Sequence, residues 1–193
     1  MARIKMPEAS AMTPEQAAAC AEAVQGRRGK VPAPMVGWLS NPELARRLQK
    51  IGELLRFETS LGPVLTELAI LVCARRWTSH VEWKAHHALA LQAGMDPRIP
   101  AAIAARTEPP LEDDKARSVY LLATTLLDKG RLGDADYQHC TKQLGERGVT
   151  EVIALLGYYT LVSFTLNTYE LGLPESAVPA LQDPEFPGGH VCA

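Results

Sequence analysis

Helix-start and helix-stop signals recur down this chain, while alternating β-branched runs closed by hairpin dipeptides are absent, and that pattern confines the fold to the all-α class. Thr13-Pro14-Glu15-Gln16 has the form of a capping box with proline at the first helical position, opening an alanine-rich helix that ends near Gly26. Arg27 to Ser40 reads as a loop. Asn41-Pro42-Glu43 opens a second helix, whose stripe Leu44, Leu48, Ile51 and Leu55 is expected to face a core. After Gly62-Pro63 a strongly apolar helix runs from Val64 to about Arg76, and Ser79-x-x-Glu82 opens the next, which ends at Gly94. Asp96-Pro97 starts a short helix, and residues 111–114 begin one that closes at Gly130. Asp134 caps another that stops at Gly145, and Thr150 precedes a long apolar helix over about Glu151 to Glu170. The proline- and glycine-bearing tail, 175–193, has no period and reads as irregular.

A chain of 193 residues forms one domain with a real core, spanning 1–193. Its 20 basic and 22 acidic residues leave a net charge of −2, without the cationic excess that a phosphate backbone demands, so nucleic acid is not an expected partner. No apolar run follows the N-terminal charges, which implies no secretory signal and a cytoplasmic location. Cys20, Cys73, Cys140 and Cys192 are scattered without a C-x-x-C or zinc-type spacing and read as reduced thiols. The most apolar stretch, Val152 to Leu166, is shorter than the ~20 residues of a spanning helix, so it reads as a core helix and no membrane partner is expected.

Chemistry concentrates between Glu67 and His87. Glu67 sits among Val64, Leu68 and Leu71 on an apolar helix face, where a carboxylate is at least partly buried and needs a partner. That partner is either a local arginine or a functional group. Glu82 and His86 stand at i,i+4 and are neighbours on one helical face, about 5–6 Å apart at Cβ. A carboxylate beside an imidazole raises its proton affinity and fixes its tautomer, giving a group that exchanges a proton near neutral pH. Alternatively, Ser79-x-x-Glu82 is a capping box in which Glu82 only satisfies a backbone donor. His80 and His87 share a different helical face from Glu82 and His86, so the four do not converge, and no metal site is expected. No Gly-rich phosphate loop and no G-x-S-x-G is present, and no cofactor is implied.

At these residues the chain resembles the carboxymuconolactone decarboxylase superfamily, which includes alkylhydroperoxidase D. The peroxidase branch has Glu, eleven residues, Cys, two residues, Cys, three residues, His; this chain has Glu67, Ser79, Glu82 and His86 at the same spacing. The Ala-Leu-Ala-Leu-Gln-Ala-Gly-Met run into Asp96-Pro97 resembles the family's next turn, and Gly157-Tyr158-Tyr159 with Thr165-Leu166-Asn167 its closing helix. The resemblance covers about Trp38 to Pro174, with the sharp motif in Glu67–Gly94. It implies an alkylhydroperoxidase D-like helical bundle that assembles as a homodimer or a ring of dimers. The long apolar last helix, carrying Tyr158, Tyr159 and Phe164, has more apolar surface than seven short helices easily cover, which points the same way.

Ser79 and Glu82 stand where the peroxidase branch has its two thiols, and neither forms a thiolate or a disulfide. Peroxiredoxin-type antioxidant activity is therefore disfavoured. The resemblance instead implies the decarboxylase branch, with a small lactone or carboxylate from aromatic degradation as substrate. In that reading His86 is the proton donor, Glu82 its orienting partner and Glu67 a second acid–base group. Ser79, His80, Trp83 and Arg75 are further candidates for pocket walls or substrate contacts, with Arg76, Lys84 and Trp77 behind them. A non-catalytic helical assembly or binding protein is the remaining alternative.

Overall fold

A computed structural model describes residues 2–173 and 180–182, and every regular element among them is helical. After a 3-10 turn at Ala9–Ala11 come α1 (Pro14–Gln25), α2 (Met35–Trp38), α3 (Pro42–Phe57), α4 (Pro63–Arg76), α5 (His80–Gln92), α6 (Arg98–Ala104), α7 (Asp114–Lys129) and α8 (Asp134–Thr168). The expected tail and Cys192 lie outside the described residues, apart from 180–182, where Leu181 is buried.

Local chemistry accounts for the helix starts. Both arms of the Thr13–Gln16 capping box are present, Asn41 accepts from the Leu44 amide at 3.2 Å, and Asp113 accepts from the Ala116 amide at 2.8 Å. α7 stops at Gly130, which takes the left-handed φ of 68° that a C-terminal cap requires. α4 is buried at every position from Thr66 to Arg75, as a helix apolar all round must be, and it packs against α5, α7 and α8.

Four sequence expectations change. Leu44 and Ile51 point outward, because α3 turns Ala45, Leu48, Gln49, Gly52 and Leu55 inward; the small residues of that face let α1 and α8 approach closely. The segment read as a loop contains α2, too short to show a period, and its Trp38 indole donates to Thr165 Oγ1 at 3.0 Å. Gly133, not Asp134, is the N-cap of α8. That helix breaks at Gly145 alone (φ 71°, ψ 166°) and resumes at once rather than at Glu151, since a single glycine supplies the left-handed conformation. The resulting 35-residue helix is long and apolar enough to cross a membrane, but half of its most apolar window is buried within the fold, as in a core helix.

Candidate active site

The α4–α5 corner brings the acid–base residues together. Thr78 takes a left-handed φ of 45°, which a β-branched residue adopts only when its surroundings hold it there. Asn167 Nδ2 donates to the Trp77 carbonyl at 2.8 Å, and Arg75 Nη1 donates to Thr78 Oγ1 at 3.2 Å. Pinned in this way, the corner folds α5 back along α4. Residues 19 apart in sequence then meet: His86 Nδ1 lies 2.6 Å from Glu67 Oε2. On the other edge of the same ring, His86 Nε2 lies 3.1 Å from Glu82 Oε2. Glu67 and Glu82 are each 7% exposed and His86 4%.

An imidazole with a carboxyl group at each nitrogen can complete both hydrogen bonds in two ways. It is an imidazolium donating twice, or a neutral ring that donates once and accepts from a protonated carboxyl. The three side chains therefore hold protons jointly. Burial alone favours the neutral ring, but the hydrogen bonds and negative charges of Glu67 and Glu82 outweigh it and lift the His86 pKa above the ordinary histidine value. Tyr159 meets the ring edge to face, with centroids 5.0 Å apart, and burial holds its hydroxyl well above the usual phenol range.

Glu82 and His86 form one wall of a cavity of about 540 Å³; Glu67 lies behind the ring and does not reach it. Tyr158, Tyr159 and Val162 of α8, Val81, Ala85 and Leu89 of α5, and Pro32 to Pro34 supply the rest of its apolar lining. Arg27, Arg28, Lys30, Arg56 and Phe57 also line it.

No family model and no curated protein matches the sequence. Solved structures do match. A peroxidase-related protein of uncharacterized function from Silicibacter sp. TM1040 superposes with a TM-score of 0.70 at 16% identity, covering 87% of this chain and 89% of that one. Another from Ralstonia eutropha JMP134, described as an alkylhydroperoxidase AhpD core, gives 0.68 at 15% identity, covering 86% and 89%. The chain has the alkylhydroperoxidase D-like fold.

In this alkylhydroperoxidase D-like bundle the sequence motif divides. Glu67, Glu82 and His86 converge, and the capping-box alternative fails: Ser79 is the N-cap residue of α5 but makes no cap bond, and its buried Oγ has no hydrogen-bond partner among the described residues. Glu82 turns to His86 instead. None of Ser79, His80, Trp83 and Arg75 lines the cavity. Arg75 is a structural clamp, its Nε donating to the Ala104 carbonyl and its Nη2 to that of Gln182, both at 2.8 Å. Trp83 packs inward and stacks on His87 with centroids 6.1 Å apart, while Ser79 and His80 are buried at the start of α5. Trp77 donates to Thr160 Oγ1, Arg76 pairs with Asp128, and Lys84 points to solvent.

The order of the triad also differs from the expectation. Glu67, not Glu82, is the rearward anchor of the imidazole, and Glu82 shares the cavity wall with it. Tyr158 and Tyr159 are buried at the site, whereas Phe164 on the same helix is exposed. Arg28 and Arg56 were invisible as site residues, although the basic run Gly26-Arg27-Arg28-Gly29-Lys30 next to Pro32 and Pro34 marks the segment. Cys73 is fully buried, with Sγ 3.7 Å from the Leu156 carbonyl and 3.6 Å from Thr160 Oγ1, and burial pushes its thiol up to about 12.

Proposed function

We propose that this protein is a cofactor-free acid–base enzyme of the carboxymuconolactone decarboxylase kind, acting in the cytoplasm on a small lactone acid or related carboxylate. The observation that carries this reading is the buried imidazole held between two carboxyl groups at the wall of a largely apolar cavity. Loss of CO2 breaks a carbon–carbon bond and leaves its electron pair on the substrate as a dienolate, which must then receive one proton on carbon. Glu82 and the Nε2 edge of His86, at the cavity wall, are the pair assigned to supply that proton. Glu67, out of contact with the cavity, is a positioning residue that fixes the ring and supports its positive charge.

Both structural neighbours are described as peroxidase-related. Thiol peroxidase chemistry needs a thiolate, and Ser79 and Glu82 supply none, while Cys73 is sealed in the core with its thiol held far above neutrality. Acid–base chemistry fits the residues present.

The test is turnover of a panel of lactone acids in D2O, followed by CO2 release and by deuterium appearing on the product carbon. General acid–base groups contribute roughly 10²–10⁴-fold, so His86→Gln should lower turnover by at least about a hundredfold with helicity intact. Equal activity in the variant would remove His86 from the mechanism.

A further inference from the structure

Many of this chain's arginines are ion-paired. Arg46, Arg76, Arg98, Arg117 and Arg147 each pair with a carboxylate on the surface. Arg28 and Arg56 do not, although part of each guanidinium is shielded from water: Arg28 Nε and Nη2, and Arg56 Nε, have no hydrogen-bond partner among the described residues. A buried donor left unpaired costs about 1–3 kcal/mol, and more when it is charged. The Tyr158 hydroxyl is a third such group; it ends beside the Arg28 guanidinium, where both crowd the backbone of Gly52, without a well-aligned hydrogen bond between them. All three side chains line the same cavity as Glu82 and His86. Arg27 and Arg56 bracket the Phe57 ring, their guanidinium carbons 4.7 and 5.0 Å from its centroid, and Lys30 adds a fourth cation to the lining. Among the described residues that line the cavity, Glu82 is the only acid.

We infer that Arg28 and Arg56, with the Tyr158 hydroxyl, form an anion subsite that holds the carboxylate of an organic-acid ligand while its apolar body reaches toward Glu82 and His86. A guanidinium presents its N–H groups as a fork that matches a carboxylate, and unpaired donors from two arginines and a phenol in one cavity match what such a group accepts. Much of the remaining lining is hydrocarbon, Pro34, Val81, Leu89 and Val162 among it, which favours a carbon skeleton over a compact inorganic anion. Only Arg28 of the three precedes Trp38, where the family resemblance begins; Arg56 belongs to α3 and Tyr158 to α8. The inference deepens the acid–base reading and rests on it for the reaction, but not for the binding.

Benzoate titrated into the full chain by calorimetry at low salt is the probe, with inorganic phosphate as the competing anion. Benzoate should bind, Arg28→Gln and Arg56→Gln should each weaken it at least tenfold, Arg28→Lys should fall between, and phosphate should not displace it. Neither guanidinium forms a salt bridge with a carboxylate among the described residues, and the contacts of Arg56 with Phe57 and of Arg28 with Tyr158 are small. Thermal stability should therefore change little in the glutamine variants; a large drop in Tm with unchanged benzoate affinity would mark a structural role. No benzoate binding up to about 10 mM, unchanged affinity in both glutamine variants, or phosphate binding more tightly at the same arginines overturns the subsite. Arginine-dependent benzoate binding without turnover of any lactone acid leaves the subsite standing and removes the proposed reaction. Turnover with an unchanged KM in Arg28→Gln and Arg56→Gln does the reverse.

Discussion

Glu67→Gln isolates the link that organises the site. The substitution keeps the size of a buried side chain and removes the charge facing His86 Nδ1 across 2.6 Å. Hydrogen bonds to charged groups contribute about 1.5–3 kcal/mol and neutral ones about 0.5–1.5, so the change should cost roughly 1–1.5 kcal/mol where the imidazole is protonated. For a chain of this size that corresponds to a fall in Tm of about 2–6 °C. Its pH dependence is the sharper signature. The His86 pKa is raised in the folded state, so the native protein binds that proton more tightly than the unfolded chain does. The stabilisation is fully present below the unfolded histidine value of about 6.5 and is lost as pH rises through the higher folded value. Above that point the wild type holds two carboxyl groups against a neutral ring, and the glutamine variant should match or exceed its stability. Thermal melts followed by circular dichroism at acidic and alkaline pH measure the difference, and the other histidines cancel because both proteins carry them. Parallel Tm profiles for the two proteins across that range would refute the claim that Glu67 supports a protonated His86.

Three further outcomes test other parts of the structure. Gly52→Ala would drive a methyl group into the Tyr158 hydroxyl and the Arg28 guanidinium; overpacking of this kind costs about 1–3 kcal/mol, and an unchanged Tm contradicts the close approach. Iodoacetamide applied to the folded protein should leave Cys73 unlabelled and turnover intact, whereas activity lost in step with Cys73 labelling would return the reading to thiol chemistry. Ile153, Leu161 and Phe164 form an exposed apolar strip on α8, which we propose as the contact between copies of the chain. Phe164→Glu should then shift the assembly toward monomer in light scattering, and a monomeric wild type ends that proposal.

The parts of the fold and site that the sequence reveals are those built from local rules. Thr13, Asn41 and Asp113 cap their helices because a side chain and an amide two or three residues on meet wherever a helix starts. Glu82 and His86 meet because i,i+4 is a contact on any helix. Between the two local options open to Glu82 the sequence could not choose, since burial of Ser79 at the corner decided it. The Glu67–His86 contact depends on the angle at Thr78, to which Asn167, 90 residues beyond Trp77, contributes through the Trp77 carbonyl; the spacing suggested it through resemblance rather than through geometry. The cationic group is less legible still, because Arg28, Arg56 and Tyr158 come from a short connecting segment, α3 and α8 and share no period. One mark of it is nevertheless written in the sequence. A glycine inside a helix is about 1 kcal/mol less favourable than alanine, so Gly52 within α3 signals a surface where something must come close. What comes close is the Tyr158 hydroxyl and the Arg28 guanidinium, and an alanine there would move the two groups on which anion binding depends. The helix gives up local stability at the position where the cavity wall needs the room.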